Sequence, residues 1–216
     1  MVQTRQQASA QTGAAILAAA REEVAEKGGS GLSMRAIARK VGLVSSAVYR
    51  HFPSRDALLS AMIIDSYRDL DDALSGIESA AGAGGWRNLA HAFRAWARGN
   101  PAEFQLIYGT PIRGYTAPAE TVPAAAAVAR HFLDVGARQP VDFFAAAALT
   151  DQMQPASSQV PGADPSGFAA VLAELAALVG FVSLELAGHF VGTADPADGL
   201  YAAILERHVG TLGLSE

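Results

Sequence analysis

Apolar residues recur along most of this chain at intervals of three and four, the spacing that lines one face of a helix. No run alternates apolar and polar residues with the β-branched enrichment of a strand. Thr12 is placed to cap a first helix with a stripe of Ile16, Leu17, Ala20 and Val24. That helix should end at Lys27-Gly28-Gly29, a cation in the last turn with glycine beyond it. Residues 1–11 are polar and read as a short arm ahead of it, disordered or else available to a partner through Arg5. Ser33 caps a short helix with Ile37 and Val41 on one face, stopped by Gly42. A third helix runs from about Ser45 to Phe52 with Val48 and Phe52 inward. Pro53 breaks the chain, and Ser54 caps a longer helix through Leu58, Leu59, Met62 and Ile63 toward Tyr67.

Beyond a Gly- and Ala-rich stretch at 76–85, read as a loop, the pattern predicts helices over 86–99, 101–109, 122–135, 141–153, 168–191 and 196–212. Pro101 and Pro196 fit first-turn positions. Residues 154–167, with Pro155, Pro161 and Pro165, read as a mobile loop. The 168–191 segment has one large apolar stripe (Phe168, Val171, Leu172, Leu178, Val182) and an opposite face of small residues (Ala169, Ala173, Ala176, Gly180, Ala187). Such two-sided apolarity predicts burial on both faces. Glu174 and Glu185 interrupt it, leaving too short a run between them to span a bilayer. The fold class expected is all-α.

Charge divides the chain unevenly. Through Ser60 there are eight basic and four acidic residues, a net +4; the remainder carries eight and seventeen, a net −9, within an overall −5. An anion-binding module joined to something with another task accounts for this asymmetry. The absence of cysteine excludes disulfides and thiolate metal sites. There is no basic, apolar leader at the start, and the expected location is cytoplasmic with no membrane partner. No catalytic constellation appears: no phosphate loop, no nucleophile elbow, no His pair at i, i+4. His131 and Asp134 share a helix face, but one pair is too few ligands for a metal. Neither a cofactor nor an enzymatic activity is expected.

The informative segment is SMRAIARKVGLVSSAVYRHFPSRDALL, from Ser33 to Leu59. Two short amphipathic helices meet at a tight Val41-Gly42-Leu43 turn, with small Ala38 where they approach and Ile37, Val41, Leu43 and Val48 between them. This is the layout of a helix-turn-helix, whose second helix enters the major groove. The segment closely resembles the TetR family of bacterial transcriptional regulators, the match covering roughly Thr12 to Leu59. The resemblance implies a domain at 1–60 that binds double-stranded operator DNA and a helical ligand-binding and dimerisation domain at 61–216. Arg35 would then reach a base edge or phosphate, and Ser45, Ser46 and Ala47 would face bases. Tyr49, His51 and Arg55 would grip phosphates. Val44 stands where the family commonly has a Ser or Thr cap, and Arg50, where an aromatic is frequent, adds a candidate contact. Specificity should lean on Arg35 and Arg50, since the guanidinium fork reads guanine well and Ser and Ala carry little code. Arg39 and Lys40 read as a solvated face.

In the second half the resemblance implies a homodimer through the last two long helices, with Ala176, Val179, Gly180, Ser183, Ala187, Tyr201, Leu205 and Val209 as interface candidates. It also implies a largely apolar small-molecule effector, for which Trp96, Phe104, Tyr108, His131, Phe144 and Met153 are the candidate lining residues. The function so implied is ligand-responsive repression at a palindromic operator. The alternative is a DNA-binding regulator without a small-molecule ligand, controlled by a protein partner or acting as an activator.

Overall fold

The computed structural model describes residues 2–77 and 81–216, with side chains from Gln7 onward. Among them the chain forms ten α-helices and no strand: α1 (Val2–Lys27), α2 (Met34–Lys40), α3 (Ser45–His51), α4 (Arg55–Ser75), α5 (Gly82–Gly99), α6 (Pro101–Tyr108), α7 (Val122–Gly136), α8 (Ala147–Ser157), α9 (Pro165–Leu186) and α10 (Asp198–Thr211). They pack as two compact units, one of residues 1–67 with 100–122, the other of residues 68–99 with 123–216.

The core of the first unit gathers Ile16, Ala20 and Val24 of α1, Ile37 and Ala38 of α2, Val48 of α3, and Leu58, Leu59 and Met62 of α4. Leu106, Ile112 and Tyr115 pack against it, so α6 and the segment after it belong to this unit. The caps read from the sequence are present: the Ser33 hydroxyl accepts from Ala36 N at 3.3 Å and the Ser54 hydroxyl from Ala57 N at 3.0 Å. Between α2 and α3, Gly42 adopts φ 68° while Gly42 N donates to Arg39 O and Leu43 N to Ala38 O. These paired bonds end α2 and turn the chain sharply, in a left-handed conformation that glycine reaches without a steric penalty.

The second unit is centred on Trp86, Phe93 and Phe132, stacked edge to face, with His208 against Trp86. A Cβ on Gly136 of α7 would stand 2.8 Å from Val171 of α9, which explains a glycine at that crossing. Arg94 is buried, donates to Glu185 and Asp198, and lies 4.7 Å over the Tyr201 ring. Glu174 is also buried, accepting from Arg207 at 2.9 Å.

Several boundaries differ from those expected. The polar arm is helical: α1 starts at Val2, and the Thr12 hydroxyl donates back to Ala8 O at 2.8 Å instead of capping. Gln and Ala in this stretch favour helix without an apolar stripe to announce it. The side chain of Arg5 lies outside the described residues. Of the expected 76–85 loop, 78–80 lie outside the described residues, and Gly82–Gly85 are helical because Ala83 N is held by Ser215 O at 2.8 Å. The 141–153 helix divides into a 3-10 turn, Asp142–Phe144, and α8. Much of the expected 154–167 loop is ordered structure: α8 continues through Pro155 to Ser157, and Asp164 caps α9 by accepting from Ser166 N and Gly167 N. Pro196 precedes α10 rather than opening it.

In α9, Phe168, Val171, Leu178 and Val182 are buried as expected, but Phe181 and Glu174 join them and Leu172 is exposed. By length and apolarity α9 is long enough to cross a membrane, yet half of that span is buried against the protein.

Candidate nucleic-acid interface

Both α2 and α3 present polar residues to solvent. Met34, Ile37 and Ala38 of α2, with Ala47 and Val48 of α3, point into the core and fix the rotation of both helices. Arg35, Ser46, Tyr49 and Arg50 are therefore exposed, Tyr49 at 46%, with Ser45 and His51 half-buried beside them. Val44, at the N-cap of α3 with no side-chain cap bond, is 70% exposed although apolar. Its apolar side chain joins no core there. Ala47 stands apart from the outward set, only 8% exposed.

Arg55 is half-buried at the start of α4 and engaged elsewhere. Its guanidinium donates to Gly29 O at 2.8 Å, Leu32 O at 3.3 Å and Ser30 O at 3.3 Å, the carbonyls of the turn between α1 and α2. Chain partners 23 to 26 residues away are invisible to local pattern. Lys40 is paired with Glu22 at 2.8 Å and Glu26 at 3.5 Å, which hold its ammonium above the usual lysine range. Arg39 and Lys40 thus sit on a solvated face, as read.

The expected effector residues fall in both compact units. Phe104 and Tyr108 belong to the first unit, where their rings pack at 5.4 Å and Tyr108 meets Tyr67 edge to face. Burial pushes the Tyr108 hydroxyl up. Trp96, His131, Phe144 and Met153 belong to the second unit; His131 Nε2 lies 2.7 Å from Asp71 Oδ1. A groove of about 370 Å³ in that unit is lined by Ala126, Leu133, Ala156 and Phe168 among others, and by none of the six.

Of the interface candidates, Ala176, Gly180 and Ala187 are exposed and Val179, Ser183 and Val209 half-buried. Tyr201 and Leu205 lie inside their own unit, at 0% and 1% exposure, with the Tyr201 hydroxyl donating to Ala90 O. Leu172, Leu184 and Val191 continue the apolar exposed face instead.

Residues 16–62 match the family model described as bacterial regulatory proteins, tetR family, and residues 86–208 match the tetracyclin repressor-like C-terminal domain. HTH-type transcriptional regulator Rv1816 of Mycobacterium tuberculosis is 42% identical over 135 residues, which is 60% of this chain and 58% of that protein. The match thus spans little more than half of the relative's length. The crystal structure of SCO4313, described as a regulatory protein, is 32% identical with a TM-score of 0.81, over 95% of this chain and 98% of that one. A protein of unknown function from Rhodococcus sp. RHA1 is 25% identical with a TM-score of 0.67, over 94% and 95%.

Proposed function

The chain belongs to the tetR family of bacterial regulatory proteins, and from that premise we propose that it is a cytoplasmic, homodimeric repressor that releases a palindromic operator in response to a small molecule. The observation that carries the DNA-binding part is the exposure of Arg35, Ser46, Tyr49 and Arg50 on a helix pair whose Ile37, Ala38 and Val48 are held in the core. With α3 in the major groove, Ser45 and Ser46 meet base edges, and Arg35 and Arg50 read guanine or phosphate. Tyr49 and His51 take phosphates, and Val44 meets a thymine methyl. Ala47 and Arg55 support this face from behind, the first by packing, the second by tying the α1–α2 turn to α4.

Dimerisation joins the exposed face of α9, where Ala176, Val179, Gly180, Ser183 and Ala187 allow close approach and Leu172 and Leu184 supply apolar area. Val209 of α10 extends it, while Tyr201 and Leu205 brace it from inside. A two-fold pair sets two recognition helices roughly one helical turn of DNA apart, about 34–36 Å. The functional division runs near Ser60, with DNA contact before it and effector binding and dimerisation after it. The effector is mostly apolar, and the candidates to meet it are Trp96, His131, Phe144 and Met153 of the second unit or Phe104 and Tyr108 of the first.

Selection of bound duplexes from a random pool tests this reading. Enrichment of a two-fold symmetric site is expected; no enrichment of any sequence overturns it.

A further inference from the structure

The first unit contains a cleft that the proposed DNA-facing surface does not use. It opens between the end of α1 and α6, holds about 620 Å³, and is walled by Val24, Ala102, Leu106 and Ile112 with Gly29 and Ser30 at one side. That volume falls within the roughly 300–1,000 Å³ of small-molecule sites. A smaller recess shares Val24, Ala102 and Leu106 with the cleft and is closed by Met62 and Ser66 of α4. Ser66 is 1% exposed, and its hydroxyl has no hydrogen-bond partner. On the same helix the Ser60 hydroxyl bonds to Asp56 O at 2.9 Å, the usual recourse of a helical serine, which Ser66 does not take. A buried hydroxyl left unbonded is disfavoured unless something else satisfies it.

The charges around this space are committed. Lys27 pairs with Glu23 and Arg21 with Asp65, each at 2.7 Å, and Glu103 at the recess would repel an anion. We propose that the cleft is a small-molecule site within the DNA-binding unit, for an uncharged compound whose apolar body lies on Val24, Leu106 and Ile112 and whose carbonyl accepts from Ser66. The recess as it stands has no room for a water, so the carbonyl reaches Ser66 only when the Met62 and Leu106 side chains turn aside. Gly29 and Ser30, which line the cleft, are also the residues whose carbonyls hold Arg55. A compound seated there bears on the turn that braces α4 behind α3, and this consequence rests on the DNA-binding reading.

The test uses Prodan, a neutral naphthalene carrying a propionyl carbonyl, titrated into the full chain without DNA and read by its fluorescence shift. Saturable binding at one site is expected. Ala102→Phe, which fills the cleft, and Ser66→Ala, which removes the donor, are each expected to raise Kd about tenfold with the helical circular dichroism unchanged. Ser66→Ala should also raise Tm, since it deletes an unbonded buried hydroxyl, so it reports even if Ala102→Phe fails to fold. No saturable binding, or binding that neither folded variant weakens, overturns the proposal. A chain that binds Prodan in the cleft but binds no duplex leaves the site standing and removes the DNA-binding reading instead.

Discussion

Arg55 illustrates how a residue's partners decide its task. Three backbone carbonyls accept from its guanidinium, and bonds to a charged group contribute about 1.5–3 kcal/mol each when well formed. Two of the three are long and the side chain is partly exposed, so Arg55→Ala is expected to lower stability by about 2 kcal/mol in total, measured by urea denaturation. An unchanged midpoint would return Arg55 to the role of a free phosphate contact. His208 sets a second test. Burial and the neighbouring Arg207 push its imidazole down to about 4 from the ordinary 6.5. Its Nε2 stands 2.9 Å from Glu174 Oε2 but in no hydrogen-bonding alignment, and Nδ1 has no partner either. The folded chain keeps the ring neutral while the unfolded chain protonates it below 6.5. Its stabilisation is therefore present above pH 6.5 and lost as pH falls through about 4. His208→Gln should flatten that part of the stability–pH curve; an equally steep acid loss in the variant would show that other groups cause it.

At the scale of elements, α9 carries the clearest expectation. Gly180 has open space around it, and Leu184, one turn on, is exposed. Leu184→Arg should convert a dimer to a monomer in sedimentation at micromolar concentration without loss of helicity. Dimers that persist would move the interface elsewhere. Gly136→Ala, pressed against Val171, should cost about 1–3 kcal/mol by overpacking the α7–α9 crossing, read from Tm. The helices legible in the sequence were those with local signals: Ser33 and Ser54 as caps, Gly42 as the turn, the stripe of Ile16, Ala20 and Val24. Those misplaced lacked such a local signal. Gly82 begins a helix because Ser215 holds the next amide, and 154–157 stay helical despite Pro155. In the candidate interface the outward set was legible because α2 and α3 have clear inner faces. The withdrawal of Arg55 and the inner placement of Tyr201 were not, since each is fixed by a contact far away in sequence.

Over the whole molecule, the charge asymmetry follows the proposed division of tasks. A net −5 chain approaches a polyanion through a segment that carries +4, so its affinity for DNA should fall steeply as salt screens that segment. The proposed effector control needs a compound that binds the operator-free dimer better than the operator-bound one, with coupling of about 1–3 kcal/mol. Both rest on the exposed face of α3, and one titration addresses that directly. The selected duplex should be titrated at several salt concentrations with the wild type and with Tyr49→Ala/Arg50→Ala. The wild type is expected to show a log–log salt slope of about −0.9 per phosphate contact. The double variant, folded and dimeric, should bind about a hundredfold more weakly with a shallower slope. Equal affinity and equal slope for the two proteins would contradict the assignment of this face to DNA.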